Sequence, residues 1–198
     1  MRPLPWLGAP GLPRGERERR ASHETSMERD PLPRCVRIDP QLAAVPIPAP
    51  ILNEVCQHAR VEFPEECCGL IVGDGRERFR EARPCRNEMT QQHQRDPASY
   101  PLTSRQAYLM SPTDYQGIQQ ASAARGLLVT AVYHSHVGTG AYLSELDLAY
   151  AEHAFFPFPD ADQIVVAVHD PSAPPEIALF ERRSAGRFVG RAVSWARP

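Results

Sequence analysis

The chain contains no lysine, because all 22 of its basic residues are arginines. It therefore offers no side-chain amine for an isopeptide link to itself, although its N-terminus remains available. It also lacks any C-x-x-C pair, and its five cysteines, Cys35, Cys56, Cys67, Cys68 and Cys85, are odd in number. Complete disulfide pairing within one chain is excluded, and free thiols in a reducing, cytoplasmic setting are the expectation. No segment has the length and apolarity of a membrane span, so no membrane contact is expected. The net charge of −2 over 198 residues creates no field that would gather nucleic acid. H-x-E followed by P-C-x-x-C is missing as well, which removes zinc deaminase chemistry on nucleobases.

Residues 1 to about 40 lack periodicity. They are dense in Pro and Arg, with mixed charge in Gly15-Glu16-Arg17-Glu18-Arg19-Arg20, and read as a disordered leader before one domain over about 41–195. The apolar patch Pro3 to Pro13 is broken by prolines and glycines and is followed by charge instead of a small-residue cleavage site. A secretory signal is not expected. Met27 offers an alternative start.

What is present begins at Pro48. Pro50 suits a first helical position, and Ile51, Leu52, Val55, Cys56 and Ala59 fall on one helical face before Phe63-Pro64 stops the helix. Cys67 to Gly73 reads as a short buried strand, and a turn at Asp74-Gly75 leads to a second strand over Arg78 to Arg83. Arg86 to Asp96 is polar without a period and reads as a loop that could form one lip of a groove. Ser111-Pro112-Thr113-Asp114 has the pattern of a capping box, opening a helix with Tyr115, Ile118 and Ala121 inward and Gly126 as its stop. Gln163 to His169, Glu176 to Phe180 and Phe188 to Val193 read as further strands. Helices interleaved with these strands imply an α/β sandwich with a mixed sheet.

The chemistry concentrates in Tyr133-His134-Ser135-His136 and, after a Gly-rich turn, Ser144-Glu145-Leu146-Asp147. Leu127 to Tyr133 has strand composition, so His134 and His136 would point to one side of it. Ser144 marks a helix N-cap ahead of Leu148, Ala151 and Phe155, with Asp147 in the first turn. Two imidazoles and a carboxylate that converge across a short loop match a catalytic zinc with one position open, since a structural zinc fills all four with protein groups. Ser144 and Asp147 also fit a simple capping box that implies no metal. His153 and His169 have no partners at ligand spacing and read as structural. Cys68, in an apolar run, reads as a small buried residue and not a nucleophile.

This spacing resembles the signature of the JAMM, or MPN-plus (Mov34/JAB), zinc metalloproteases, which requires a glutamate upstream. His58-Ala59 and Pro64-x-Glu66-x-Cys68-Gly69-Leu70 resemble the opening motif of the bacterial branch, and by that match the base is Glu66 and not Glu65. The region from Tyr133 to Ser144 is most similar to the Mec-type peptidases, although Val137 and Leu143 stand where the family often has proline. The resemblance implies a JAMM-type, cytidine-deaminase-like fold in which helices sandwich a mixed sheet. It implies one zinc held by His134, His136 and Asp147, a water on that zinc deprotonated by Glu66, and a Ser144 hydroxyl that stabilises the oxyanion. The implied substrate is a small ubiquitin-like or sulfur-carrier protein cleaved after its C-terminal Gly-Gly. A deubiquitinase-like isopeptidase on lysine conjugates and a non-catalytic MPN scaffold are the alternatives.

Overall fold

The computed structural model describes residues 35–183 and 187–196. Its strands are β1 (Val45–Pro48), β2 (Cys68–Gly73), β3 (Glu81–Cys85), β4 (Leu128–Val137), β5 (Asp162–Val168), β6 (Glu176–Arg182) and β7 (Phe188–Ala196). Its helices are α1 (Ala49–Glu62), α2 (Met89–Arg95), α3 (Pro112–Ala123) and α4 (Glu145–Ala151). The strands form one sheet in the order β1-β7-β6-β5-β4-β2-β3, with β4–β5 and β1–β7 parallel and the other pairs antiparallel. The fold is thus α/β, with a mixed sheet between helices.

Strand alternation assigns the layers. On β2 and β5, Ile71, Ile164 and Val166 cluster with Ile51, Leu52, Val55 and Ala59 of α1. The alternate residues face the other way: Leu70 packs beside Tyr115 and Ile118 of α3, and Val165 and Ala167 beside Leu148 and Ala151 of α4. The helix α1 therefore covers one face of the sheet, and α3 and α4 share the opposite face. β2 and β5 flank β4 and are buried along their whole length. Apolar burial on both faces explains their unbroken aliphatic runs.

Several local expectations change. The β2–β3 hairpin forms, but β3 begins at Glu81 instead of Arg78. Asp74 Oδ1 accepts from the amides of Arg76 and Glu77, each at 2.8 Å, and curls the turn back, so Arg78 to Arg80 belong to the connection. Pro84 is tolerated because β3 is an edge strand. The segment expected as a loop contains α2, whose first residue, Met89, is buried and whose amide donates to Asn87 Oδ1 at 3.0 Å. The capping box at α3 does not form. Asp114 instead takes the backbone N–H and the guanidinium of Arg86, each at 2.9 Å, and Ala121 is exposed while Ser122 is buried. Gly126, at φ +72°, does turn the chain out of that helix, a conformation glycine adopts without strain. α4 stops at Ala151, and Phe155 is exposed; Phe156 and Phe158 are buried in its place.

The expected leader boundary lies at about residue 40. Residues 1–34, including Met27, lie outside the described residues. Val36 bridges Leu143 and Ile38 bridges Gly190. Among the described residues no helix is long and apolar enough to cross a membrane.

Candidate metal centre

β4 lies between β2 and β5 and carries His134 and His136 on the face that α3 and α4 cover. Beyond the strand the chain turns through Gly138 and returns to α4, where Ser144 is the N-cap. The capping box is complete: Ser144 Oγ accepts from Asp147 N at 3.2 Å, and Ser144 N donates to Asp147 Oδ2 at 2.8 Å. That box turns the Asp147 carboxylate back toward the strand end. Local helix chemistry and a two-residue strand period thereby bring the three expected ligands together.

Their geometry fits a metal. His134 Nε2 lies 3.3 Å from His136 Nε2, and Asp147 approaches the two with Oδ1 and Oδ2 respectively, again at 3.3 Å. A tetrahedral zinc with bonds of about 2.0–2.1 Å has ligand–ligand edges of about 3.4 Å. The His136 Nδ1 is 3.1 Å from Gly140 O, so its N–H donates there and leaves Nε2 with a free lone pair. Two imidazole nitrogens at that separation, both buried, are poorly satisfied by each other's protons and well satisfied by one cation. His134 Nδ1 has no hydrogen-bond partner, while Tyr108 stacks on the His134 ring at 4.5 Å.

Electrostatics agree with this reading at Asp147 and His134, while at His136 the penalty of burial is outweighed by Asp147 and Glu66 and the pKa is raised. Burial alone would raise the Asp147 pKa, but His134 and His136 hold it far below the usual carboxylate range. Burial lowers the His134 pKa against the pull of Asp147. An ionised carboxylate and a neutral imidazole are the forms that bind metal. Among the described residues, these three are the one group of His, Cys, Asp or Glu side chains placed to share an ion.

Glu66 enters from between α1 and β2. Its carboxyl is buried and pushed up to about 8, chiefly by desolvation, with His136 lowering it and Asp147 raising it. It feels the charges of His136 and Asp147, as the proposed role requires. Glu65 is only half-buried. Glu66 and Cys67 also line a cavity of about 380 Å³ with Arg86, Asn87 and Gln91, which puts the start of the supposed loop beside Glu66.

Other parts of the site carried little or no sequence signal. Ser135 faces away from the ligands and accepts from Cys67 N at 2.8 Å, tying the Glu66 segment to β4. Tyr133 OH lies 2.9 Å from His58 Nδ1 and crosses over Gly69, where a Cβ would sit 2.5 Å from the tyrosine ring. Asn87 reaches the Glu66 backbone from a segment with no pattern to mark it. All five cysteines are free, and burial raises the thiol pKa of Cys68 well above its ordinary value.

A family model described as prokaryotic homologs of the JAB domain matches residues 48–182. The CysO-cysteine peptidase of Mycobacterium tuberculosis is 29% identical over 126 residues, which cover 63% of this chain and 74% of that protein. Tail tip assembly protein K of Escherichia phage N15 is 31% identical over 108 residues, 54% of this chain and 36% of that protein. The solution structure of protein DSY2949 from Desulfitobacterium hafniense overlays with a TM-score of 0.57 at 20% identity, covering 78% of this chain and 94% of that one.

Proposed function

The chain belongs to the family of prokaryotic homologs of the JAB domain, and on that premise we propose that it is a zinc metallopeptidase. Its proposed reaction is hydrolysis of the bond after the C-terminal Gly-Gly of a small ubiquitin-like or sulfur-carrier protein. The observation that carries this reading is the convergence of His134 Nε2 and His136 Nε2, 3.3 Å apart, on the two Asp147 carboxylate oxygens, one at 3.3 Å from each imidazole, beside a buried carboxyl. Similarity to a CysO-cysteine peptidase supports the substrate class.

When bound, zinc would polarise the scissile carbonyl, lower the pKa of water toward about 7 and draw Glu66 back to its ionised form. Glu66 would then take one proton from the attacking water as its oxygen bonds to the carbonyl carbon. As the C–N bond breaks, Glu66 would pass that proton to the departing amine, leaving a carboxyl group on the carrier tail that releases the water's second proton to the freed amine or to solvent and becomes a carboxylate. Ser144 would donate to the developing oxyanion. That role competes with its bond to Asp147 Oδ2 at 2.6 Å. His136 is held in its ligating tautomer by Gly140 O.

The same reading takes residues 41–195 as the peptidase domain, with the stretch before it as a leader. The free thiols favour a cytoplasmic setting. The test is zinc per purified chain by plasma mass spectrometry, together with cleavage of a ubiquitin-fold carrier ending in Gly-Gly-Cys. About one zinc and release of cysteine are expected. Cleavage of a lysine-linked carrier but not the linear one would favour the isopeptidase alternative. Zinc-free, inert protein after reconstitution would favour the scaffold.

A further inference from the structure

Asn87 has no task in the chemistry above, yet it makes four hydrogen bonds. Its Nδ2 donates to Glu66 O at 2.9 Å and to Ala107 O at 3.1 Å, and its Oδ1 accepts from Met89 N and Leu109 N, both at 3.0 Å. All four partners are backbone groups. Two carbonyls facing the nitrogen and two N–H groups facing the oxygen fix the orientation of the amide. Aspartate would keep the acceptor contacts and lose both donors.

The bond to Glu66 O acts on the peptide plane that joins Glu66 to Cys67. The N–H edge of that same plane is held by Ser135 Oγ at 2.8 Å. On the other side of the Glu66 Cα, the Glu66 N–H donates to Ser104 O at 2.6 Å. Because peptides are planar, fastening the planes on both sides fixes the φ and ψ of Glu66, and with them the direction of its Cα–Cβ bond.

We infer that Asn87 is a positioning residue for the proton acceptor, setting the aim of Glu66 through its peptide plane without touching the reacting atoms. The inference rests on the hydrolase reading, since the aim matters only where Glu66 moves protons. Misplacement by about 1 Å of a group in such a site costs on the order of a hundredfold in rate.

The test uses zinc-loaded protein and the Gly-Gly-Cys carrier. Asn87→Ala and Asn87→Asp are compared with Thr130→Val, which removes a hydroxyl that donates to Arg78 O at 2.6 Å and reaches Ile71 O at 3.3 Å, away from the groups that hold Glu66. Both Asn87 variants should lose about ten- to a hundredfold in kcat, with KM within about twofold and zinc content unchanged. Thr130→Val should hold kcat within about threefold at a similar fall in Tm. In a Glu66→Gln background, Asn87→Asp should cost nothing further, because the residue it aims is already disabled. Asn87→Asp carries the test if the alanine variant does not fold. Loss that follows Tm across all variants, equal loss in both backgrounds, or an Asn87→Asp enzyme with wild-type kcat would overturn the inference. An inert wild type, or a Glu66→Gln variant as active as wild type, would instead remove the hydrolase reading and this inference with it.

Discussion

His134, His136 and Asp147 are assembled by local rules, whereas Glu66 is held by contacts from far along the chain. A strand period of two and one capping box are enough to gather the ligands. The backbone around Glu66, the proposed base, is held by Asn87, Ser104 and Ser135, each from a different segment. The three expected ligands, one half of the site, can therefore be read from spacing alone, whereas in the other half Glu66 is singled out by family resemblance and the groups that hold it are not marked in the sequence at all. Different lesions should follow: damage to the first half removes the metal, and damage to the second leaves metal bound but chemistry slow.

The strongest break of this contrast is Asp147→Ala, which should abolish turnover and lower bound zinc from about one per chain to near zero, as read by plasma mass spectrometry. Next is Glu66→Gln, expected to lose about a hundred- to ten-thousandfold in kcat while retaining zinc. Loss of zinc in that variant would erase the distinction between the two halves. Ser144→Ala tests the junction. It should cost about 1 kcal/mol of stability as a lost cap and on the order of a hundredfold in kcat as a lost oxyanion donor. Denaturation and steady-state kinetics separate the two effects, and a stability loss without a rate loss would confine Ser144 to capping.

A last effect concerns the metal-free protein. Burial pushes the Glu66 carboxyl from 4.5 up to about 8, so between those pH values the folded state keeps a proton that the unfolded chain has released. The contribution of this group is fully present below the unfolded value and is lost as pH rises through the folded one. Metal-free Glu66→Gln should consequently outlast wild type at pH 9, by on the order of a few kcal/mol, and differ little at pH 4. Thermal unfolding in chelator at both pH values measures the gap, and an equal gap at each would contradict the burial argument.

The legible parts of the fold share one property with the ligand half: their signals are local. α1 follows from five apolar residues at helical spacing, and β2 from an unbroken aliphatic run. The misread parts were decided by remote partners. Asp114 looked like the acid of a capping box, but Arg86 binds it from across the domain. Phe155 stood at the right spacing for α4, yet the helix ends at Ala151 and Phe156 and Phe158 fill the core instead. β1 hides behind Pro46 and Pro48, which are acceptable because it sits at the sheet edge. Asn87 is the same case within the site, a polar residue whose meaning comes wholly from the segments it joins.

The bridge at Val36 couples the chain's approach to the domain with its reaction centre. Val36 and Leu143 exchange two N–H···O bonds of 2.9 Å, Arg37 lies over the Tyr142 ring, and Ser144 follows directly. Tension applied at Cys35 would arrive at the helix cap that turns Asp147 toward the imidazoles. A single antiparallel bridge thus joins residue 36 to the segment that caps α4 and carries Asp147.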